Sequence, residues 1–135
     1  MSPRTARCGY IDIGQPGNFK YHGEYAGQVE QVYNTCNGYV WAHWQWAGDF
    51  PSRHPGTNVK VSVGVFSPDS SGPNQWTNDV PTSVKDVNSP GVPIDSANPD
   101  DWEAVATVNN CAPFAYGTLH WYGGADWRGP EDGYC

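Results

Sequence analysis

Tyr39-Val40-Trp41-Ala42-His43-Trp44-Gln45-Trp46 is the stretch that decides the fold. In a strand, successive side chains point to opposite faces. Val40, Ala42, Trp44 and Trp46 then share one side, and Tyr39, Trp41, His43 and Gln45 share the other. Both sides carry large aromatic area. One must be core, and the other is either covered by a loop or arm or left open as a flat platform.

Upstream, residues 24–33 read as a second strand, with Tyr25, Val29 and Tyr33 at one parity and Gly27 marking a bulge or a close backbone approach. Asn34-Thr35-Cys36-Asn37-Gly38 joins the two strands, and Asn37-Gly38 is a strong hairpin signal. Downstream, a loop at 48–58 leads to residues 59–66. There Val59, Val61, Val63 and Val65 point one way and Lys60, Ser62 and Gly64 the other, the pattern of a half-buried strand.

Residues 67–101 are rich in Pro, Ser, Asn and Asp. A stretch that long is either functional or hides short elements. Trp76 and the set Val84, Val87 and Val92 are candidates for short strands, and a short helix or two also fits there. Asn98-Pro99-Asp100-Asp101 would cap a helix, but Val105-Ala106-Thr107-Val108 leans residues 103–108 toward strand. Residues 116–122 form a last strand, followed by a Gly-rich tail. Residues 1–23 read as an irregular N-terminal arm broken by Gly9, Gly14, Pro16, Gly17 and Gly23. The expected fold is all-β: one antiparallel β-sandwich over 24–135, immunoglobulin-like or jelly-roll-like, with two disulfides and long loops.

The whole composition agrees with one such domain. The chain has 135 residues, with 16 Gly and 12 Pro, 14% aromatic and 16% charged residues. Helical bundles tolerate Gly and Pro poorly, and disordered chains are poor in aromatics. No apolar run approaches the roughly 20 residues of a membrane-spanning helix. Net charge is −7, with five basic and four acidic groups in 1–66 but two basic and ten acidic in 67–135. Nucleic acid and membrane insertion are therefore excluded as expected partners, because phosphate-rich surfaces call for clustered Lys and Arg.

The four cysteines, Cys8, Cys36, Cys111 and Cys135, contain no C-x-x-C pair, so zinc-ribbon and thioredoxin-like readings fail. Their even number and wide spacing suggest disulfides, and four cysteines allow three pairings. Cys8–Cys36 with Cys111–Cys135 is favoured, because each would staple a terminus to its nearest strand. Disulfides imply a secreted, extracellular protein. Residues 1–7 are polar and basic without an apolar core, so the expectation is a leader removed from this chain and a non-native Met1. No N-x-S/T sequon occurs, consistent with a bacterial source.

Binding candidates follow from the aromatic residues. An open Tyr39, Trp41 and His43 face would stack on sugar rings or anchor a protein partner. Trp76 and Trp102 flank the acidic stretch, and Trp102 with Asp100 and Asp101 forms an aromatic rimmed by carboxylates, suited to sugar hydroxyls or a basic peptide. His120-Trp121-Tyr122 with Trp127 and Tyr134 is a second aromatic group. The histidines His22, His43, His54 and His120 lack metal-ligand spacing, and no EF-type loop is present, so no metal and no cofactor are expected. Asp95, Asp100 and Asp101 are the weak alternative for calcium. No nucleophile elbow, P-loop or dinucleotide fingerprint occurs. A glycosidase needs two carboxylates across a cleft, and the sequence does not pair any of Glu24, Glu30, Asp49 and Glu103. No catalytic residue is expected.

Gly27-Gln28-Val29-Glu30, Tyr33-Asn34-Thr35-Cys36, Val40-Trp41-Ala42-His43-Trp44 and the closing Leu119-His120-Trp121-Tyr122 resemble a pattern of small exported actinobacterial proteins. Most of those have no known function. The resemblance implies an accessory subunit of a larger secreted assembly, including antibacterial toxin complexes with lectin parts, and assigns no functional residue. The functional expectation is an exported, non-catalytic binding or adaptor domain docking a protein partner, with the arm and the acidic half as its means. The alternative is a carbohydrate-binding, lectin-like module using the exposed aromatics on an extracellular glycan. A small hydrolase or protease inhibitor is the third reading.

Overall fold

The computed structural model describes residues 8–68, 74–95 and 97–135. Two sheets pack face to face as a β-sandwich. The first holds β1 (Tyr10–Tyr21), β2 (Glu24–Asn34), β3 (Tyr39–Trp46), β6 (Asp86–Asn88), β7 (Val92–Pro93) and β12 (Gly133–Tyr134). Its order is β12-β1-β2-β3-β6, with β7 also on β3. The second holds β4 (Lys60–Phe66), β5 (Gln75–Pro81), β8 (Asp101–Val108), β9 (Ala115–Tyr116), β10 (Leu119–Trp121) and β11 (Ala125–Arg128). Its order is β11-β10-β8-β4-β5, with β9 also on β8.

The decisive stretch is β3, residue for residue, and its parity holds. Val40, Ala42, Trp44 and Trp46 are buried in the core, while Tyr39, Trp41, His43 and Gln45 turn outward. β2 and β3 pair antiparallel from Gly27↔Trp46 to Asn34↔Tyr39. The turn between them uses the expected residues. Asn34 Oδ1 accepts from the Cys36 amide at 2.8 Å, and Gly38 takes the positive φ of 74° that the return requires. In β4, Val61, Val63 and Val65 are fully buried. Its other face is closed as well, because the Trp76 ring lies over Gly64, where an added Cβ would meet the indole at 2.5 Å.

Three expectations need correction. Tyr10–Tyr21 is not irregular arm but the longest strand of the domain, paired with β2 along its length and with β12 in parallel at Phe19 and Lys20. The breakers there make a bulge between Ile13 and Gly17. That bulge presses β1 against the second sheet. Thr118 Oγ1 accepts from the Gln15 amide at 2.8 Å, and a Cβ on Gly17 would stand 2.4 Å from the Tyr116 carbonyl oxygen. Residues 1–7 lie outside the described residues. The one short helix described, Phe50–Arg53, falls in the loop after β3 rather than within 67–101; Phe50 plugs the core and stacks on Trp46 at 5.4 Å. Residues 116–122 are divided by Gly117-Thr118 into β9 and β10.

Both disulfides form as favoured. Cys8–Cys36 ties the start of β1 to the β2–β3 turn, and Cys111–Cys135 ties the residue after β12 to the segment after β8. No cysteine is free. Two disulfides in a small β domain fit an extracellular setting.

Candidate functional site

The outward parity of β3 builds the site. Trp41 is held on two sides. Tyr10 of β1 meets it edge to face, with ring centroids 5.2 Å apart at 88°, and its Nε1 donates to Asn88 Oδ1 of β6 at 3.1 Å. Next along β3, His43 Nε2 lies 3.0 Å from Asp86 Oδ1. Tyr10, Asp12, Val32, Trp41, His43, Asn88, Ser89 and Gly91 line an open groove of about 530 Å³. Tyr10, 72% exposed, forms an outer wall.

Glu30 lies on the same outer face, beside this groove but not among its lining residues. It lies directly opposite His43 in the β2–β3 register, two residues from Val32, which pairs with Asp12. The residue is only 8% exposed, and its Oε2 has no hydrogen-bond partner. Burial pushes its carboxyl up to about 7, reinforced by the negative charge of Asp12.

The other expected carboxylates go elsewhere. Glu24 bonds His54 Nε2 at 3.0 Å and also pairs with Arg53; the hydrogen bond from His54, chiefly, holds its carboxyl below the usual range against partial desolvation. Glu103 is buried in the second sheet, where desolvation raises its carboxyl although Arg128 Nη2 donates to both oxygens, at 3.1 and 2.8 Å. Asp49 is exposed beside the short helix.

Tyr39, Trp41 and His43 share the outer face as expected, and Tyr10, Asp12, Asn88 and Ser89 join them. The candidate built on Trp102 with its carboxylate rim is corrected. Trp102 is 5% and Asp101 2% exposed, so neither can meet a ligand. β8 runs between β4 and β10 with both faces covered, so its acidic residues are internal. Asp100 is half-buried at the strand entrance, its carbonyl accepting from the Tyr122 amide. Trp76 lies on the outer face of the second sheet, in a separate hollow of about 310 Å³ with Ser62, Asn78, Thr107, Asn110 and Phe114. Trp121 stacks on Trp127, and His120 Nδ1 lies 2.6 Å from Asp126. Asp95 is engaged by its own loop, accepting from the Ala97 amide at 2.9 Å. Among the described residues no three His, Cys, Asp or Glu side chains gather as a metal site.

Tyr10 and Asp12 carried a signal that the arm reading hid: they alternate, i and i+2, like any strand pair. Asn88 and Ser89 carried none, because only the pairing of β6 with β3 brings them beside Trp41.

No protein-family model, curated protein or solved structure matches the chain.

Proposed function

We propose that this is an exported binding domain whose outer first sheet takes a glycan in the Tyr10–Trp41 groove. The observation that carries the reading is the fixing of Trp41. Its indole is oriented by Tyr10 on one side and by Asn88 on the other, so little side-chain freedom is lost when a flat apolar sugar face stacks on it. Asp12, His43 and Asn88 stand around the ring as short polar groups able to meet sugar hydroxyls. The groove is open, which suits a chain of sugars more than an enclosed small molecule.

A protein partner is the second reading. It is favoured by Ile11, an exposed apolar residue next to Tyr10 on β1. The arm that was to serve such a partner is, from Tyr10 onward, a strand of the domain itself.

Affinity electrophoresis through embedded polysaccharides tests the choice. Trp41→Ala should weaken retention roughly tenfold or more, as loss of a central aromatic anchor does, while thermal melting confirms the fold. Retention unchanged by the substitution would remove this groove from consideration.

A further inference from the structure

Three of the four glutamates have an arginine. Glu24 has Arg53, Glu103 has Arg128, and Glu131 has the same Arg128 at 3.6 Å. Among the described residues Glu30 has none, although it is more than nine-tenths buried and its Oε2 is unsatisfied. Its nearest charged neighbour on β1 is another carboxylate, Asp12. Across the strand pair, His43 of β3 is already engaged by Asp86 of β6. No Lys or Arg is among the described residues that line the groove. A buried carboxyl without a cation is costly to ionise, and this one stands beside an open groove walled by Tyr10 and Trp41, whose ring faces also attract cations.

Resting on the glycan reading, we infer that the Glu30–Asp12 end of the groove recognises a protonated amine carried by the sugar, as in a 2-amino-2-deoxy glycan. The ammonium supplies the charge that neither carboxylate finds among the described residues. It donates hydrogen bonds to Glu30 and Asp12 while the sugar ring stacks on Trp41. Charge-assisted bonds of this kind are the strong ones. Near neutral pH the Glu30 carboxyl is partly protonated in the free protein. Pairing with an ammonium ionises it, so binding expels a proton from Glu30 into the buffer.

Calorimetry with a β-1,4-linked glucosamine tetrasaccharide and its fully N-acetylated counterpart tests this. The expected result is about a tenfold or greater preference for the free amine. Titrations in buffers of different ionisation enthalpy, run at mildly acidic pH where the sugar amine already carries its proton, should show proton release for the amine ligand that Glu30→Gln diminishes. Glu30→Gln, and separately the milder surface change Asp12→Asn, should bring the ratio of the two affinities toward one. Equal affinity of the wild-type protein for both sugars, or equal weakening of both by Glu30→Gln, would overturn the amine inference and leave the glycan reading standing. Binding of a tetralysine peptide with neither sugar bound would overturn both and reassign the groove to a protein. Binding of none of the three would overturn both as well.

Discussion

The hydroxyl of Tyr122 donates to Oε1 of Gln31, a side chain 91 residues away in sequence and fully buried between the sheets. The same amide donates through Nε2 to the Trp102 carbonyl at 2.9 Å and the Thr118 carbonyl at 3.4 Å. One side chain of the first sheet is thus satisfied entirely by the second. Burial raises the Tyr122 phenol well above the usual tyrosine range, so it stays a donor.

Tyr122→Phe should therefore cost about 1–3 kcal/mol, the penalty for leaving a buried acceptor unpaired. Urea denaturation measures it. In an alkaline titration followed by tyrosinate absorbance, the substitution should remove no signal from the ordinary tyrosine range. Loss of a normally titrating tyrosine would mean that the hydroxyl meets solvent.

Glu30 predicts a pH dependence of stability. Its carboxyl binds protons more tightly folded, at about 7, than at the ordinary value of 4.5. Between those values the folded chain keeps a proton that the unfolded chain has lost, so this contribution to stability is full below about 4.5 and falls as pH rises through 7. The swing is about 3 kcal/mol. Glu24, shifted the other way, contributes stability that is lost in acid, but it is common to wild type and variant. Melting of wild type and Glu30→Gln should therefore show the variant gaining relative stability from pH 5 to pH 8. Parallel curves would show that the Glu30 carboxyl is not desolvated.

Removing the second disulfide, by Cys111→Ser with Cys135→Ser, should cost about 3 kcal/mol. The damage should be local. The Tyr134 amide bonds the Pro113 carbonyl, and the Cys135 amide bonds that of Lys20. Hydrogen exchange at those two amides should accelerate well before exchange in the β2–β3 pairs. Uniform acceleration would show that β12 and the core open together.

The legible and illegible parts of this domain separate by the range of the contacts involved. The core face of β3 was legible because bulky residues alternate there without interruption. The β2–β3 turn was legible because its chemistry is local. β1 was hidden by its bulge: Gly14, Pro16 and Gly17 interrupt the alternation, and the two glycines and Gln15 there meet Thr118 and Tyr116 more than 90 residues on. Trp102 misled for a related reason. Acidic neighbours usually mean solvent, but Glu103 is answered by Arg128 of β11, which no local window contains. The groove was half visible. Trp41 and His43 follow from parity, whereas Tyr10, Asp12 and Asn88 reach them only through strand register.

The two crosslinks also decide how the domain answers mechanical load. β1 and β12 run parallel, so pulling residues 8 and 135 apart draws the two strands past each other along their axes. Yet tension applied at Cys8 passes through sulfur to Cys36, and tension at Cys135 passes to Cys111. The covalent path of that tension skips β1, β2 and β9–β12, which are loaded only through their hydrogen bonds to the span between Cys36 and Cys111. In the oxidised chain only the span between Cys36 and Cys111 can unravel and lengthen. The wall formed by Tyr10 and Asp12 would stay behind a covalent clasp, while Trp41, just inside the loaded span, would be among the first groups drawn away from it.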